Sequence, residues 1–162
     1  MNKNHEQESY HPDDRRTIVM SEIMTPNMAN FYGNVHGGHL LMLLDHVAYA
    51  CASRYSAKLT VTLSVDQVIF KEPLHVGELV TFYANVNYVG STSMEIGIRV
   101  IAENLLTRVR RHTNSCFFTM VAIDENGKPT KVEPLVIENE MQQHRYDEAL
   151  ARRQIRLAQT KK

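Results

Sequence analysis

Residues 33–54 read GNVHGGHLLMLLDHVAYACASR, and this stretch decides the fold of the chain. It opens as a polar turn with two adjacent glycines, Gly37 and Gly38, which can take positive φ and let a ligand or another backbone come close. Apolar residues then cover nearly the whole circumference of a helix predicted over about 38–54. A helix that is apolar almost all round is buried on most of its sides. The stretch therefore predicts a central helix wrapped by the rest of the chain.

One acidic side chain, Asp45, interrupts this apolar helix. At roughly 100° per residue, it lies on the row Leu41–Asp45–Ala48–Ala52, which is otherwise apolar. A carboxylate on such a row must be paired, neutral or functional, because burying an unpaired charge is costly. A structural pairing with Arg54, with a backbone group or with a partner chain is the alternative to a catalytic role.

The charge and hydropathy of the chain argue against nucleic acid and membranes as its partners. The 162 residues include 18 basic and 18 acidic side chains, so the formal net charge is zero and no global field attracts nucleic acid or a membrane surface. No apolar run approaches the ~18 residues of a membrane span, and the polar first residues lack the apolar core of a signal peptide. We therefore expect a cytoplasmic protein with neither nucleic acid nor membrane as a partner. Its two cysteines, Cys51 and Cys116, are expected to be buried free thiols.

Five segments of the chain have the alternating pattern of strands. They cover 17–23, 59–70, 79–89, 94–102 and 113–123, with a bulge expected at Asp66–Gln67. Since a single helix cannot bury itself in a bundle, the simplest arrangement is an α+β fold in which an antiparallel sheet curls round the helix. The last segment, Glu138–Lys162, lacks Gly and Pro and is rich in basic residues, which predicts a helix at its start.

Several motifs together resemble those of the hotdog-fold acyl-CoA thioesterases, within the cytosolic acyl-CoA hydrolase group. They are Gly33–Gly38 with Asp45 in the following helix, Val61–Asp66, Phe70–Pro73, Gly77–Glu78, Ser91–Ile96, and Phe117–Asp124 before Gly127–Pro129. The resemblance covers about residues 15–135 and marks them as a hotdog domain. Residues 1–14 are then expected to form a flexible N-terminal tail, and 136–162 a basic C-terminal helical tail.

The resemblance implies a long helix wrapped by a five- or six-stranded antiparallel sheet. It implies a homodimer, since hotdog sheets pair edge to edge, and suggests a trimer of dimers, which is a homohexamer. The implied activity is hydrolysis of acyl-CoA to free acid and CoA, in fatty acid metabolism, without metal or cofactor. The family's catalytic asparagine corresponds to Asn34 and its catalytic aspartate to Asp45, with Asn34 of one protomer facing Asp45 of the next.

These residue types suit attack on a thioester, which needs a water, a base and a site for the oxyanion. Asp45 is the candidate base for that water, or a nucleophile that forms an anhydride. Asn34 is the candidate to hold the water or the carbonyl, although a loop-capping amide is the structural alternative. Backbone N–H groups of His36, Gly37 and Gly38, at the helix start, are the candidate oxyanion donors.

The phosphates of CoA need cations and polar groups. Arg54, Lys71 and Arg99 are the cationic candidates, and Ser91, Thr92 and Ser93 resemble the family's turn beside the pantetheine arm, although a plain β-turn explains them equally well. We predict no metal site, because His39 and His46 share a helix face from which Asp45 points about 100° away.

Two other functions fit the same fold, since a fold does not fix a function. One is a non-catalytic module that senses acyl-CoA or lipid, and the other is enoyl-CoA hydratase chemistry. The combination of Asn34 and Asp45 favours the hydrolase, because a sensor has no need of a pair that activates water. The preferred acyl-chain length and the role of the C-terminal tail stay open.

Overall fold

A computed structural model of the chain describes residues 14–66 and 68–160. The elements in chain order are β1 (Thr17–Ile23), a short 3-10 turn (Pro26–Met28), α1 (Gly37–Ser56), β2 (Leu59–Asp66), β3 (Leu79–Val89), β4 (Ser93–Glu103), β5 (Arg110–Ile123) and α2 (Glu140–Thr160). The predicted α+β hotdog architecture is confirmed, with a long central helix, an antiparallel sheet and a C-terminal helix. Of the predicted N-terminal tail, only Asp14 falls within the described residues.

The five strands form one antiparallel sheet in the spatial order β1-β3-β4-β5-β2. Strand alternation turns one row of apolar side chains from each central strand toward α1, which contacts all five strands. The buried members of these rows include Val80, Phe82, Ala84, Ile96, Ile98, Val100, Cys116, Phe118 and Met120. Leu44, Val47, Ala48 and Cys51 of α1 are also buried. The core therefore lies between α1 and the concave face of the sheet.

The central helix differs in detail from its prediction. It begins at Gly37 and ends at Ser56, one residue earlier and two residues later than expected. Gly37 and Gly38 form its first turn and do not adopt positive φ, so that expectation is wrong. The left-handed conformation belongs instead to Gly33, with φ of 80°, because the turn before the helix closes there.

The bulge that the structure describes in β2 lies at Leu63, while the predicted position at Asp66–Gln67 falls partly outside the described residues, because these do not include Gln67. Thr62 is opposite Met120 while Ser64 is opposite Thr119, so Leu63 is the extra residue. The side-chain parity therefore changes there, and Val65 faces the opposite side of the sheet from Val61. The strand ends at Asp66 and does not reach Phe70.

Strand β5 begins three residues earlier than expected, at Arg110. The residues before Thr113 are polar and lie outside the predicted strand, but Arg110 pairs with Glu103 in the sheet register and donates a hydrogen bond of 2.6 Å to its carboxylate. A polar cross-strand pair thus extends the hairpin beyond the alternating apolar segment.

Helix α2 crosses the outer face of the sheet, the side away from α1. Its docking depends on Glu95 of β4, which is 1% exposed. Arg152 donates to this carboxylate at 2.8 Å and places its guanidinium 3.6 Å from the centre of the Phe117 ring, while Arg156 contacts both Glu95 and Asp66. The basic face of the predicted tail is therefore turned toward the sheet.

Candidate active site

A short loop before α1 presents the first group of candidate residues. It is anchored by two backbone hydrogen bonds: the N–H of Val35 donates to the carbonyl of Leu74, and the N–H of His36 donates to that of Met28, both at 2.8 Å. These bonds tie the loop to the segment before β3 and to the 3-10 turn. The loop is consequently held at the N-terminal end of the central helix.

Asn30 organises the tip of this loop. Its side-chain Oδ1 accepts hydrogen bonds from the N–H groups of Tyr32 and Asn34, at 2.9 and 3.2 Å. Its own N–H donates to the carbonyl of Asn34 at 2.7 Å, and Gly33 closes the turn onto the Asn30 carbonyl. With both acceptor positions of Oδ1 occupied, the carboxamide is fixed, and its NH₂ donates to no acceptor among the described residues.

The predicted Asn34 is half-buried beside a residue that the sequence analysis did not select. Its Oδ1 lies 3.0 Å from Nδ1 of His75, and the backbones of these two residues form an isolated bridge. The Asn34 side chain thus links its loop to the segment before β3, and both the catalytic and the structural interpretation of this residue stay open.

The helix start leaves one backbone donor open. His36 caps α1, since its Nδ1 accepts from the N–H of Gly38 at 3.0 Å. The N–H groups of His36 and Gly38 therefore already have acceptors. The N–H of Gly37 has none among the described residues, so it is the open donor of the predicted set, next to the positive end of the helix dipole.

Asp45 is half-buried in the middle of α1 and is bound by Thr62 of β2. The Thr62 hydroxyl donates to Asp45 Oδ1 at 2.5 Å. Among the described residues Asp45 makes no ion pair, so the alternative pairing with Arg54 is not formed there, and Oδ2 has no partner. The carboxylate is thereby oriented by a neutral hydroxyl and keeps a free oxygen.

An uncovered apolar face surrounds Asp45. Leu41, Met42 and Tyr49 lie within about 100° of one another around the helix and are 39%, 44% and 43% exposed. The expectation that α1 is buried on most sides therefore fails on this face in the single chain. Apolar surface that its own fold leaves open is typical of contact with another chain.

The two groups of candidates do not meet within one chain. Asp45 lies eight residues after Gly37, about 12 Å along the helix axis. No hydrogen bond joins Asp45 to Asn30 or Asn34 among the described residues. The loop and the carboxylate are separate halves of any site that uses both.

The candidates for binding CoA are dispersed. Arg54 is near the far end of α1, about 25 Å from Gly37, and its guanidinium donates to the carbonyl of Thr17. Ser91 and Thr92 lie in the turn between β3 and β4, and Ser93 begins β4; the carbonyls of Ser91 and Thr92 accept bonds from the N–H groups of Val132 and Ala122. Lys71 is in the exposed segment before β3, and Arg99 is half-buried on the outer sheet face. One chain does not bring these residues together.

Neither a metal centre nor a membrane-spanning helix is present in the described part of the chain. No three His, Cys, Asp or Glu side chains there are grouped so that they could hold an ion. Neither helix combines the length and the apolar character needed to cross a bilayer.

Three functional candidates were missed from sequence. Thr62 carries a misleading signal, since alternation favours the apolar Val61 on the inner face, whereas the structure turns Thr62, opposite Met120, toward the helix that holds Asp45. Asn30 and His75 carry none at short range. Their roles depend on a loop closure and on a contact between segments that are 41 residues apart.

Comparison with known proteins identifies the family to which this chain is similar. The sequence profile of the thioesterase superfamily matches residues 32–108. The protein VdlD of Helicobacter pylori is 54% identical over 143 residues, which are 88% of this chain and 82% of that protein. The Bacillus subtilis protein YkhA, described as an uncharacterized acyl-CoA thioester hydrolase, is 36% identical over 123 residues, which are 76% of this chain and 72% of that protein.

Two solved structures share the fold. The crystal structure of an apo-hexameric acyl-CoA thioesterase superposes with a TM-score of 0.86 at 34% identity, covering 93% of this chain and 96% of that chain. The acyl-CoA hydrolase of Staphylococcus aureus, solved with butyryl coenzyme A, coenzyme A and coenzyme A disulfide, superposes with a TM-score of 0.80 at 26% identity, covering 90% of each chain.

The Staphylococcus aureus hydrolase has also been solved as three variants in which an asparagine, an aspartate or a threonine is replaced by alanine. In that protein the asparagine lies 15 residues before the aspartate, and the threonine lies 17 residues after it. With relatives of this identity and coverage, the chain belongs to the thioesterase superfamily, as a hotdog-fold acyl-CoA thioesterase.

Proposed function

We propose that this protein hydrolyses acyl-CoA thioesters to the free carboxylic acid and CoA, with Asp45 as the residue that activates water. The observation that carries the proposal is the setting of its carboxylate. One oxygen is bound by Thr62, the other has no partner among the described residues, and the surrounding helix face is apolar and uncovered. A base held in this way can face a bound thioester once a partner chain closes the site.

The reaction needs no group beyond the protein and water. Asp45 takes a proton from water as the hydroxyl adds to the thioester carbonyl carbon, and the protonated acid then returns the proton to the leaving CoA thiolate as the C–S bond breaks. Alternatively, the carboxylate attacks the carbonyl carbon and expels the CoA thiolate as the C–S bond breaks; water then cleaves the resulting anhydride, which releases the acid, restores the carboxylate and supplies the proton that the thiolate takes up. In both routes the donor Thr62 fixes the reacting carboxylate, and neither metal nor cofactor takes part.

The asparagine that holds the carbonyl or the water is proposed to come from the loop at residues 30–34. Asn34 is the residue predicted from sequence. Asn30 is a second candidate that two observations favour. Its carboxamide is already fixed through Oδ1, and its NH₂ has no acceptor among the described residues. It also lies 15 residues before Asp45, and Thr62 lies 17 residues after Asp45, which are the separations in the Staphylococcus aureus variants.

The oxyanion is proposed to bind at the start of α1. Gly37 supplies the open N–H, and the helix dipole adds partial positive charge at the same point. His36 contributes by capping the neighbouring N–H of Gly38, which keeps the first turn in its helical geometry.

A second copy of the chain is proposed to complete the site, with Asp45 of one protomer facing the asparagine loop of another. Two features support this. The apolar face round Asp45 is uncovered, and β2 is an edge strand whose bulged Leu63 is 68% exposed. Pairing of two β2 strands about a two-fold axis would cover the exposed strand edge and the apolar helix face round Asp45. It would also join the two sheets into one continuous sheet. The hexameric thioesterase of the same fold supports further assembly as a trimer of dimers.

The dispersed candidates for CoA binding fit such an assembly better than a single chain. A two-fold axis reverses α1 in the partner, so residues at the Arg54 end of one helix can approach the Gly37 end of the other. We propose that Arg54, Arg99 and Lys71 supply charge to the CoA phosphates, and that the turn at Ser91, Thr92 and Ser93 lies along its pantetheine arm.

Release of free CoA from a panel of short- to long-chain acyl-CoAs, detected with a thiol reagent, tests the proposal. The wild-type protein should release CoA, whereas Asp45→Ala should release it at least about a hundredfold more slowly because its general base is lost. Tight acyl-CoA binding without turnover would identify a sensor. An absorbance change with an enoyl-CoA, without free thiol, would identify a hydratase.

A further inference from the structure

His75 occupies an exposed position in the segment between β2 and β3, directly across from the asparagine loop. The two segments run side by side, since Asn34 and His75 form a backbone bridge and the N–H of Val35 donates to the carbonyl of Leu74. The imidazole therefore reaches the loop from a separate part of the chain. None of the steps proposed above uses it.

The direction of the side-chain hydrogen bond is fixed by chemistry. Oδ1 of Asn34 can only accept, so Nδ1 of His75 carries the hydrogen and donates across the 3.0 Å. With its oxygen bound in this way, the carboxamide presents its NH₂ on the other side. Asn34 in turn is bound to Asn30, through its own N–H to Oδ1 of Asn30 and through its carbonyl to the N–H of Asn30.

A buried ion pair holds the backbone that carries His75. Glu78 is 5% exposed, and its carboxylate accepts the N–H of His75 at 2.8 Å. Both oxygens of Glu78 also bind Arg111, at 2.7 and 2.6 Å, and Arg111 donates to the carbonyl of Pro73 as well. Burial lowers the pKa of Arg111, but its bonds to Glu78 and Glu72 more than offset this and raise the pKa, so the guanidinium stays charged.

We propose that His75 is a positioning residue for thioester hydrolysis. It fixes the carboxamide of Asn34 and, through Asn34, the turn that carries Asn30. This inference rests on the proposed function. It holds whichever of the two asparagines contacts the thioester, because both belong to one hydrogen-bonded unit whose outer support is the His75 ring.

The test compares two substitutions at this position in the full-length protein. His75→Leu removes the donor, whereas His75→Asn places an amide N–H near the position of Nδ1. We expect kcat to fall about tenfold in His75→Leu, since small misplacement of a binding group is costly, and KM to change less than about twofold. His75→Asn should keep kcat within about threefold of the wild-type value.

A matched control separates this effect from a general loss of structure. His112 is also exposed, on β5, and binds only Ser115 among the described residues. His112→Leu should leave kcat unchanged. Thermal unfolding and the oligomeric state of all three variants should match the wild-type protein, because both histidines are at the surface.

A double-mutant cycle then asks whether His75 acts through Asn34. In an Asn34→Ala background, His75→Leu should lower kcat no further, because its target is already absent. A further loss of the same size in that background, or an unchanged kcat in His75→Leu alone, would overturn the inference and leave the hydrolase intact. A wild-type protein that releases no CoA would overturn the proposed function and the inference with it.

Discussion

Thr62 shows how much of the proposed chemistry depends on a single hydroxyl. Its hydrogen bond of 2.5 Å orients the Asp45 carboxylate without adding a charge that would neutralise it. Thr62→Val keeps the shape but removes the donor, so we expect kcat to fall about tenfold or more, the range of a lost bond to a charged group. Thr62→Ser keeps the hydroxyl and should retain most of the activity. Equal rates for the two variants in the CoA-release assay would mean that the bond has no catalytic role.

The two thiols provide a second test at the scale of the residue. Cys51 and Cys116 are both free and buried, as predicted from the apolar runs around them. Burial raises the pKa of each to about 12, so neither forms a thiolate near neutral pH. A thiol reagent at pH 8 should therefore detect no thiol in the native protein and two after unfolding in guanidinium. Rapid reaction of either cysteine in the native protein would show that its surroundings open to solvent.

What the sequence predicts about single residues depends on how local their contacts are. Asp45 could be selected from the helix itself, because a carboxylate on an apolar row is visible without knowing any partner. Asn30 and His75 could not, since their roles arise from a loop closure and from a contact across 41 positions. The capping of α1 by His36, which occupies the N–H of Gly38, was equally hidden from the helix pattern.

At the scale of the element, the buried ion pairs under α2 are expected to hold that helix on the sheet. The side chains of Arg152 and Glu95 are 23% and 1% exposed, whereas those of Arg15 and Glu133 are 55% and 63% exposed. Arg152→Leu leaves a buried carboxylate with one cation fewer and should lower the free energy of unfolding by about 2–4 kcal/mol. Arg15→Leu breaks a surface pair and should cost at most about 1 kcal/mol.

Chemical denaturation of the two arginine variants measures this difference. Similar free energies of unfolding for Arg152→Leu and Arg15→Leu would contradict the account of α2, because burial is what distinguishes their two ion pairs. Loss of α2 helicity in the Arg152 variant before the sheet unfolds would identify the same contacts as the anchor of the helix.

The ends of strands could be predicted where apolar and polar residues alternate regularly. They were misplaced where a polar cross-strand pair extends the strand. The bounds of β1 and β3 match the alternating segments residue for residue. Strand β5 starts early because Arg110 pairs with Glu103, which hydropathy does not detect. The bulge was placed at Asp66–Gln67 because a parity change shows there in the sequence, whereas the extra residue that the structure describes is Leu63.

At the scale of the whole molecule, the proposed site extends beyond one chain. Asp45 lies about 12 Å along α1 from Gly37, where the helix begins, and shares no hydrogen bond with the preceding loop at residues 30–34 among the described residues. The exposed helix face round Asp45 and the open edge of β2 are features that only the folded chain reveals. A single sequence does not show how two copies of the chain are positioned against each other. The assembly could therefore be predicted only through the family resemblance.

Subunit complementation tests the central claim most directly. Asp45→Ala and a variant with both Asn30→Ala and Asn34→Ala should each be nearly inactive in CoA release. Unfolded together and refolded as a mixture, they should regain about a quarter of the wild-type activity, because half of random dimers are mixed and each has one intact shared site. Mixed oligomers that form but remain inactive, beside an active wild-type protein, would contradict a site shared between Asp45 and the asparagine loop.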